Sequence, residues 1–119
     1  MAVTVYNLGS SLVQVRDTDS DGTSEANVRA GATTIYAIYV DNSLNGAASY
    51  LKLYNATAPT IGTTAPDMIF MVPASTKVTI SFALGIAFGT GLSYATVTAG
   101  GTAGTTNPTS DVIVEITCT

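Results

Sequence analysis

Apolar and polar side chains alternate with a period of two through much of this chain. Val78, Ile80 and Phe82 fall on one side of a segment whose other side carries Lys77, Thr79 and Ser81, and Val112, Val114 and Ile116 stand opposite Ile113, Glu115 and Thr117. Side chains that switch face at every residue mark extended strands. With Gly, Pro, Asn, Asp and Ser taken as joints, the pattern predicts strands at Ala2–Tyr6, Leu12–Arg16, Ser24–Val28, Thr33–Asp41, Ala48–Tyr54, Met68–Val72, Lys77–Ala83, Leu92–Thr98 and Asp111–Thr117, and no helix. One buried and one solvated face per strand predicts an all-β domain, an antiparallel β-sandwich or jelly roll of about eight or nine short strands, with a closed barrel as the alternative.

The joints add connectivity. Asn45-Gly46 is a turn signal, since both residues tolerate positive φ, and it predicts a tight hairpin joining the Thr33 and Ala48 strands as antiparallel neighbours. Ala99–Ser110 holds glycines, a proline and no large apolar residue, which predicts a long exposed loop, either mobile or held by a partner. No internal repeat or linker divides the 119 residues, so residues 1–119 read as a single domain.

One strand departs from simple amphipathicity. Tyr50-Leu-Lys-Leu-Tyr54 sends Leu51 and Leu53 to one face and Tyr50 and Tyr54 to the other. One set fills the core; the other needs a second layer, supplied by a loop of this chain or by a partner.

Charge is sparse. Eight acidic and four basic residues give a net charge of −4, and Arg16, Arg29, Lys52 and Lys77 are scattered. Phosphate backbones are bound by clustered cations, so direct nucleic-acid binding is disfavoured. No residue from Val78 to Ser110 is charged, but Gly, Ser and Thr interrupt the run too often for a membrane span. The opening Met1-Ala-Val-Thr-Val-Tyr-Asn7 reads as a strand, without the basic and apolar regions of a secretory signal. Twenty threonines suit wet sheet faces without adding charge, and few charges guard the strand edges, which favours association. Cys118 is the one cysteine, so no intrachain disulfide forms; its place beside the end of the sequence predicts an incidental free thiol in a fraying segment.

Candidate chemistry is thin. Asp17-Thr-Asp-Ser-Asp-Gly22 matches the opening of a calcium-binding EF-hand loop, in which alternate carboxylates converge on a hard cation. The position that should hold a bidentate Glu is Val28, Glu25 falls at a weaker one, and no flanking helices are predicted. The segment is therefore expected to be a solvated hairpin tip between the Leu12 and Ser24 strands, with calcium at Asp17, Asp19 and Asp21 as the competing possibility. Gly100–Thr106 lacks the lysine and helix of a phosphate-binding loop. With no histidine, the usual base for a serine or cysteine nucleophile is missing, and no catalytic, cofactor-binding or metal residue is assigned. Tyr36, Tyr39, Tyr50 and Tyr54 lie on neighbouring predicted strands and could form an aromatic contact surface for a sugar or a protein.

Tyr50–Asn55, Pro59-Thr-Ile-Gly-Thr63, Val72-Pro-Ala74 and Gly85–Ala95, preceded by Ala30–Tyr36 and Val40–Ser43, resemble small β-sandwich virion proteins of tailed bacteriophages. The resemblance spans roughly Ala30–Ala95, and the Asp17–Asp21 and Ala99–Ser110 segments depart from it. It implies a non-enzymatic structural protein. The first expectation is a capsid cement or decoration subunit on the outer surface of the virion, made in the host cytoplasm. Its partners would be the major capsid protein and copies of itself, with no direct contact to nucleic acid or membrane. A tail or fibre component is the second expectation, and a carbohydrate- or cell-surface-binding module the third.

Overall fold

A computed structural model describes residues 2–119. Nine strands follow one another: β1 (Val3–Gly9), β2 (Leu12–Ser20), β3 (Glu25–Ala30), β4 (Thr33–Asp41), β5 (Ser49–Asn55), β6 (Met68–Val72), β7 (Lys77–Phe88), β8 (Gly91–Val97) and β9 (Val112–Cys118). They form an antiparallel five-stranded sheet ordered β1-β2-β9-β4-β7 and an antiparallel four-stranded sheet ordered β3-β8-β5-β6. Apart from the added β1, this is the strand order of a jelly roll, in which the chain passes between sheets at nearly every connection.

The core lies between the sheets and is built from the alternation. Val112, Val114 and Ile116 of β9 meet Val15, Ile38 and Val40 from one side and Leu51, Leu53 and Leu92 from the other, all fully buried. At about 25 cal/mol per Å² of apolar surface removed from water, each such side chain contributes roughly 1.5–3 kcal/mol before entropic costs. Cys118 belongs to this core rather than to a fraying end: it pairs with Val13 and Ile35, and burial raises its thiol pKa.

Two connectivity expectations are overturned. β4 and β5 are not hairpin neighbours; they lie in different sheets, and neither Asn45 nor Gly46 has a positive φ. Asn45 turns inward instead. Its Nδ2 donates to Asn42 Oδ1 (3.0 Å) and to the Ser110 carbonyl (3.1 Å), while its Oδ1 accepts from Ser110 N (2.8 Å) and Thr109 Oγ1 (3.1 Å). Asn42 Nδ2 reaches the carbonyls of Ala47, Val72 and Pro73, so two amides clamp three connections at one end of the sandwich. The Asp17–Gly22 segment is likewise no hairpin tip. β2 runs through it to Ser20, and β3 belongs to the opposite sheet.

The tight hairpin of this fold is β1–β2. Gly9 pairs with Leu12, and Ser10 and Ser11 between them have φ of 49° and 64°. Two consecutive positive φ values give the turn whose twist matches the strands it joins. β7 extends beyond its predicted end by means of a bulge against β4. Gly85 sits there at φ 75°, where an added β-carbon would collide with the methyl of Thr34, and neighbouring Leu84 is pushed out to 96% exposure.

Candidate functional site

The outer face of the four-stranded sheet is covered by this chain itself. Leu51 and Leu53 enter the core, whereas Lys52 and Tyr54 point away from it and are nevertheless fully buried. The cover is the 98–111 connection. Gly100 approaches the ring of Tyr50 so closely that a β-carbon there would lie 3.1 Å from it, and Gly104 accepts a hydrogen bond from Lys52 Nζ at 2.9 Å. Thr98 N donates to Thr106 O at 3.0 Å, and Gly62 of the 56–67 connection packs on Thr105. The predicted exposed loop is thus exposed on its far side and docked on its near side, and every residue of β8 beneath it is buried.

This cover seals in polar groups. Among the described residues Lys52 Nζ has that one carbonyl as its partner, and burial lowers its pKa. Tyr54 Oη has no hydrogen-bond partner among the described residues, and burial raises its pKa.

A second polar cluster lies between the sheets at the β2–β3 crossing. Asp17, fully buried, accepts a hydrogen bond from Tyr94 Oη across the sandwich at 3.1 Å and from Asp19 N at 3.0 Å. Ser20 and Thr96 hydroxyls form a second bridge at 2.7 Å. Burial raises the Asp17 pKa to about 6, against the hydrogen bond from Asp19 N that lowers it. Glu25, 7% exposed, is raised to about 7, first by burial and then by the charges of Asp17, Asp19 and Asp21. A polar cleft beside this cluster is lined by Asp19, Asp21, Asn107 and Asp111.

The structure does not gather the three aspartates around a cation. Asp17 turns inward, Asp19 Oδ1 accepts from Ala2 N (3.0 Å), and Asp21 Oδ1 accepts from Thr23 N (2.8 Å). Among the described residues no three His, Cys, Asp or Glu side chains stand as a ligand group. Nor do the four tyrosines form one platform: Tyr36 and Tyr39 belong to the five-stranded sheet, Tyr50 and Tyr54 to the covered face of the other. The basic side chains are engaged within the chain. Arg16 pairs with Glu115 at 3.2 Å, Lys77 with Asp41 at 3.9 Å, Arg29 Nε donates to Thr119 O at 3.0 Å, and Lys52 is buried.

Apart from Tyr36 on inner strand β4 and Leu44 of the β4–β5 connection, the large apolar side chains left outside fall on the sandwich's edges. Ile69 (39% exposed) and Met71 (54%) lie on β6, opposite Lys52 and Tyr50 of β5, and so continue the covered face beyond its cover. Leu84 stands out of β7, the edge strand above β6, where Phe70 and Phe82 meet with ring centroids 6.2 Å apart. At the opposite side of the five-stranded sheet, Val5, Tyr6 and Leu8 are exposed on β1. The alternation predicted these strands; which of them end a sheet depends on pairing that it does not encode.

No protein-family model matches this chain. No curated protein matches it either. Among solved structures, the Drosophila melanogaster CENP-C cupin domain aligns at 7% identity and a TM-score of 0.30, over 98% of this chain and 73% of that one. A structure of Drosophila melanogaster CENP-C bound to CAL1 aligns at 7% identity and a TM-score of 0.25, over 98% of this chain and 79% of that one. Likeness at this level carries no argument about fold or function.

Proposed function

We propose that this chain is a non-enzymatic structural subunit of a tailed-phage particle, and specifically a capsid cement subunit that bridges neighbouring shell proteins. The observation that carries the reading is the apolar β6–β7 edge, where Ile69, Met71 and Leu84 are displayed beside a face the chain has otherwise sealed with its own loops. A small protein that covers one face and leaves an adjoining apolar border open presents a rim for a partner to bury. The resemblance of Tyr50–Asn55 and Gly85–Ala95 to virion β-sandwich proteins supports the same reading, since these residues build β5 and the β7–β8 crossing between the sheets that frame this region. Jelly rolls recur in viral capsid domains, and in lectins and cupins too, so the fold agrees with the reading without selecting it.

In this role the contacts are apolar and neutral. The engaged Arg16, Arg29, Lys52 and Lys77 leave no free cationic patch among the described residues for packaged nucleic acid, and the partner is the major capsid protein on the outer shell surface. Repetition over the lattice multiplies a weak single contact into a durable one. Fractionation of purified particles tests the proposal. The protein is expected with tail-less heads, at a fixed ratio to the major capsid protein, and is lost from heads when Met71→Lys and Leu84→Lys are combined. Its recovery only with tails, or its absence from particles, overturns the cement reading.

A further inference from the structure

The two sheets have four edge strands: β1, β7, β3 and β6. An open edge offers unpaired N–H and C=O groups to any passing strand, and proteins blunt it with charge, proline, bulges or brevity. Three of the four edges are blunted. β3 carries Glu25 and Arg29 and a break in register at left-handed Asn27 (φ 55°). β6 has five residues, with Asp67 before it and Pro73 after it. β7 starts at Lys77 and is bulged at Gly85.

β1 carries no charge, proline or mid-strand bulge; its one irregularity, between Asn7 and Gly9, lies at the hairpin end. Val3-Thr-Val-Tyr-Asn-Leu-Gly9 is uncharged, lacks proline and pairs in regular register with β2 from Val3 to Asn7. Its position leaves it uncovered as well. Val5 lies opposite Val15, a core residue, and so faces inward, yet it is 44% exposed because the second sheet is one strand narrower. Tyr6 and Leu8, on the other face, are 46% and 53% exposed.

We propose that β1 pairs antiparallel with β1 of a second copy of this chain, about a twofold axis normal to the sheet, fusing two five-stranded sheets into one. The strand is self-complementary in this geometry. Rotation about the normal keeps each face, so only residues of equal parity meet: Val5 beside Val5 with Thr4 against Tyr6, or Tyr6 beside Tyr6 with Thr4 against Leu8. Either register sets neutral residues against neutral ones, and both join the uncovered apolar strip of one copy to that of the other. A charged partner strand would find no counter-charge on β1. In a chain of net charge −4, pairing along an uncharged strand is also where two copies approach with least repulsion.

Sedimentation equilibrium of the full chain tests this from about 10 μM to about 1 mM, the range that a small strand-edge interface requires. The wild type is expected to pass from monomer to dimer across that range. Val5→Lys, which sets ammonium groups against each other at an exposed position, is expected to weaken the dimer at least tenfold while Val5→Thr leaves it intact. If Val5→Lys fails to fold by circular dichroism, Tyr6→Lys on the opposite face makes the same test. A wild type that stays monomeric to the top of the range, or a dimer indifferent to both lysine variants, overturns the proposal. The inference stands apart from the virion reading: a monomer leaves a virion role open, and absence from particles leaves the dimer intact.

Discussion

Asp17→Asn is expected to make the protein more stable at neutral pH, although it alters a buried residue with two hydrogen bonds. The native Asp17 pKa is raised from 3.8 to about 6, chiefly by burial. Between these values the folded chain holds a proton that the unfolded chain has released, so stability is full below pH 4 and falls as pH rises through 6. At about 1.4 kcal/mol per pH unit, the loss is about 3 kcal/mol by pH 7. Asparagine removes the charge and keeps the geometry. Its Oδ1 can accept from Asp19 N as Asp17 Oδ1 does, and its Nδ2 can donate to Tyr94 Oη once that hydroxyl rotates. The gain is expected to be nil near pH 4 and to approach about 3 kcal/mol near pH 8, with a further contribution as Glu25, whose pKa is about 7, is relieved of a neighbouring charge. Urea denaturation at a series of pH values measures it through the transition midpoint at constant slope. A variant less stable than wild type at pH 8, or one whose stability falls with pH as steeply, would show that Asp17 is ionised without penalty and refute the argument.

Other outcomes follow from the covered face and the asparagine clamp. Tyr54→Phe removes a buried hydroxyl without a partner and is expected to raise stability by about 1 kcal/mol, read as a higher urea midpoint. Lys52→Met exchanges a buried ammonium bonded to one carbonyl for an apolar chain of similar reach, and is expected to add about 1–2 kcal/mol at pH 7. Because burial lowers the Lys52 pKa, the penalty for its charge fades as pH rises toward 10.5, so the advantage of Lys52→Met over wild type should shrink across that range. Asn45→Ala leaves Asn42 Oδ1, Ser110 N and Ser110 O short of partners, with an expected loss of about 2–4 kcal/mol in the same denaturation assay.

The strands were legible because alternation is local: Val78, Ile80 and Phe82, or Val112, Val114 and Ile116, declare a buried face without reference to the rest of the chain. Pairing was not legible, because in a jelly roll consecutive strands mostly join opposite sheets. A turn signal such as Asn45-Gly46 then says only that the chain bends, not whether it returns to the same sheet. Asp17 and Lys52 were misleading for a related reason. Each belongs to a residue type found mostly outside, and each is buried by a distant segment, Tyr94 in one case and Gly104 in the other. The Tyr50–Tyr54 strand did announce a second layer, and that layer is the glycine-rich 98–111 connection, whose small residues allow it to lie close on the tyrosine ring.

β9 sits between β2 and β4, so Val13 and Ile35 both take Cys118 as their neighbour, and the five-stranded sheet has no continuous ladder until these final residues arrive. A chain still emerging from the ribosome at Ser110 holds β1–β2 and β4–β7 as two unjoined pairs with their apolar faces open. Completing the five-stranded sheet is therefore a slow step that waits for β9, as expected where long-range pairing dominates. Until β9 is in place, the uncharged β1 edge and the bared core strands are open together, which makes the partly folded chain the form most exposed to misassociation.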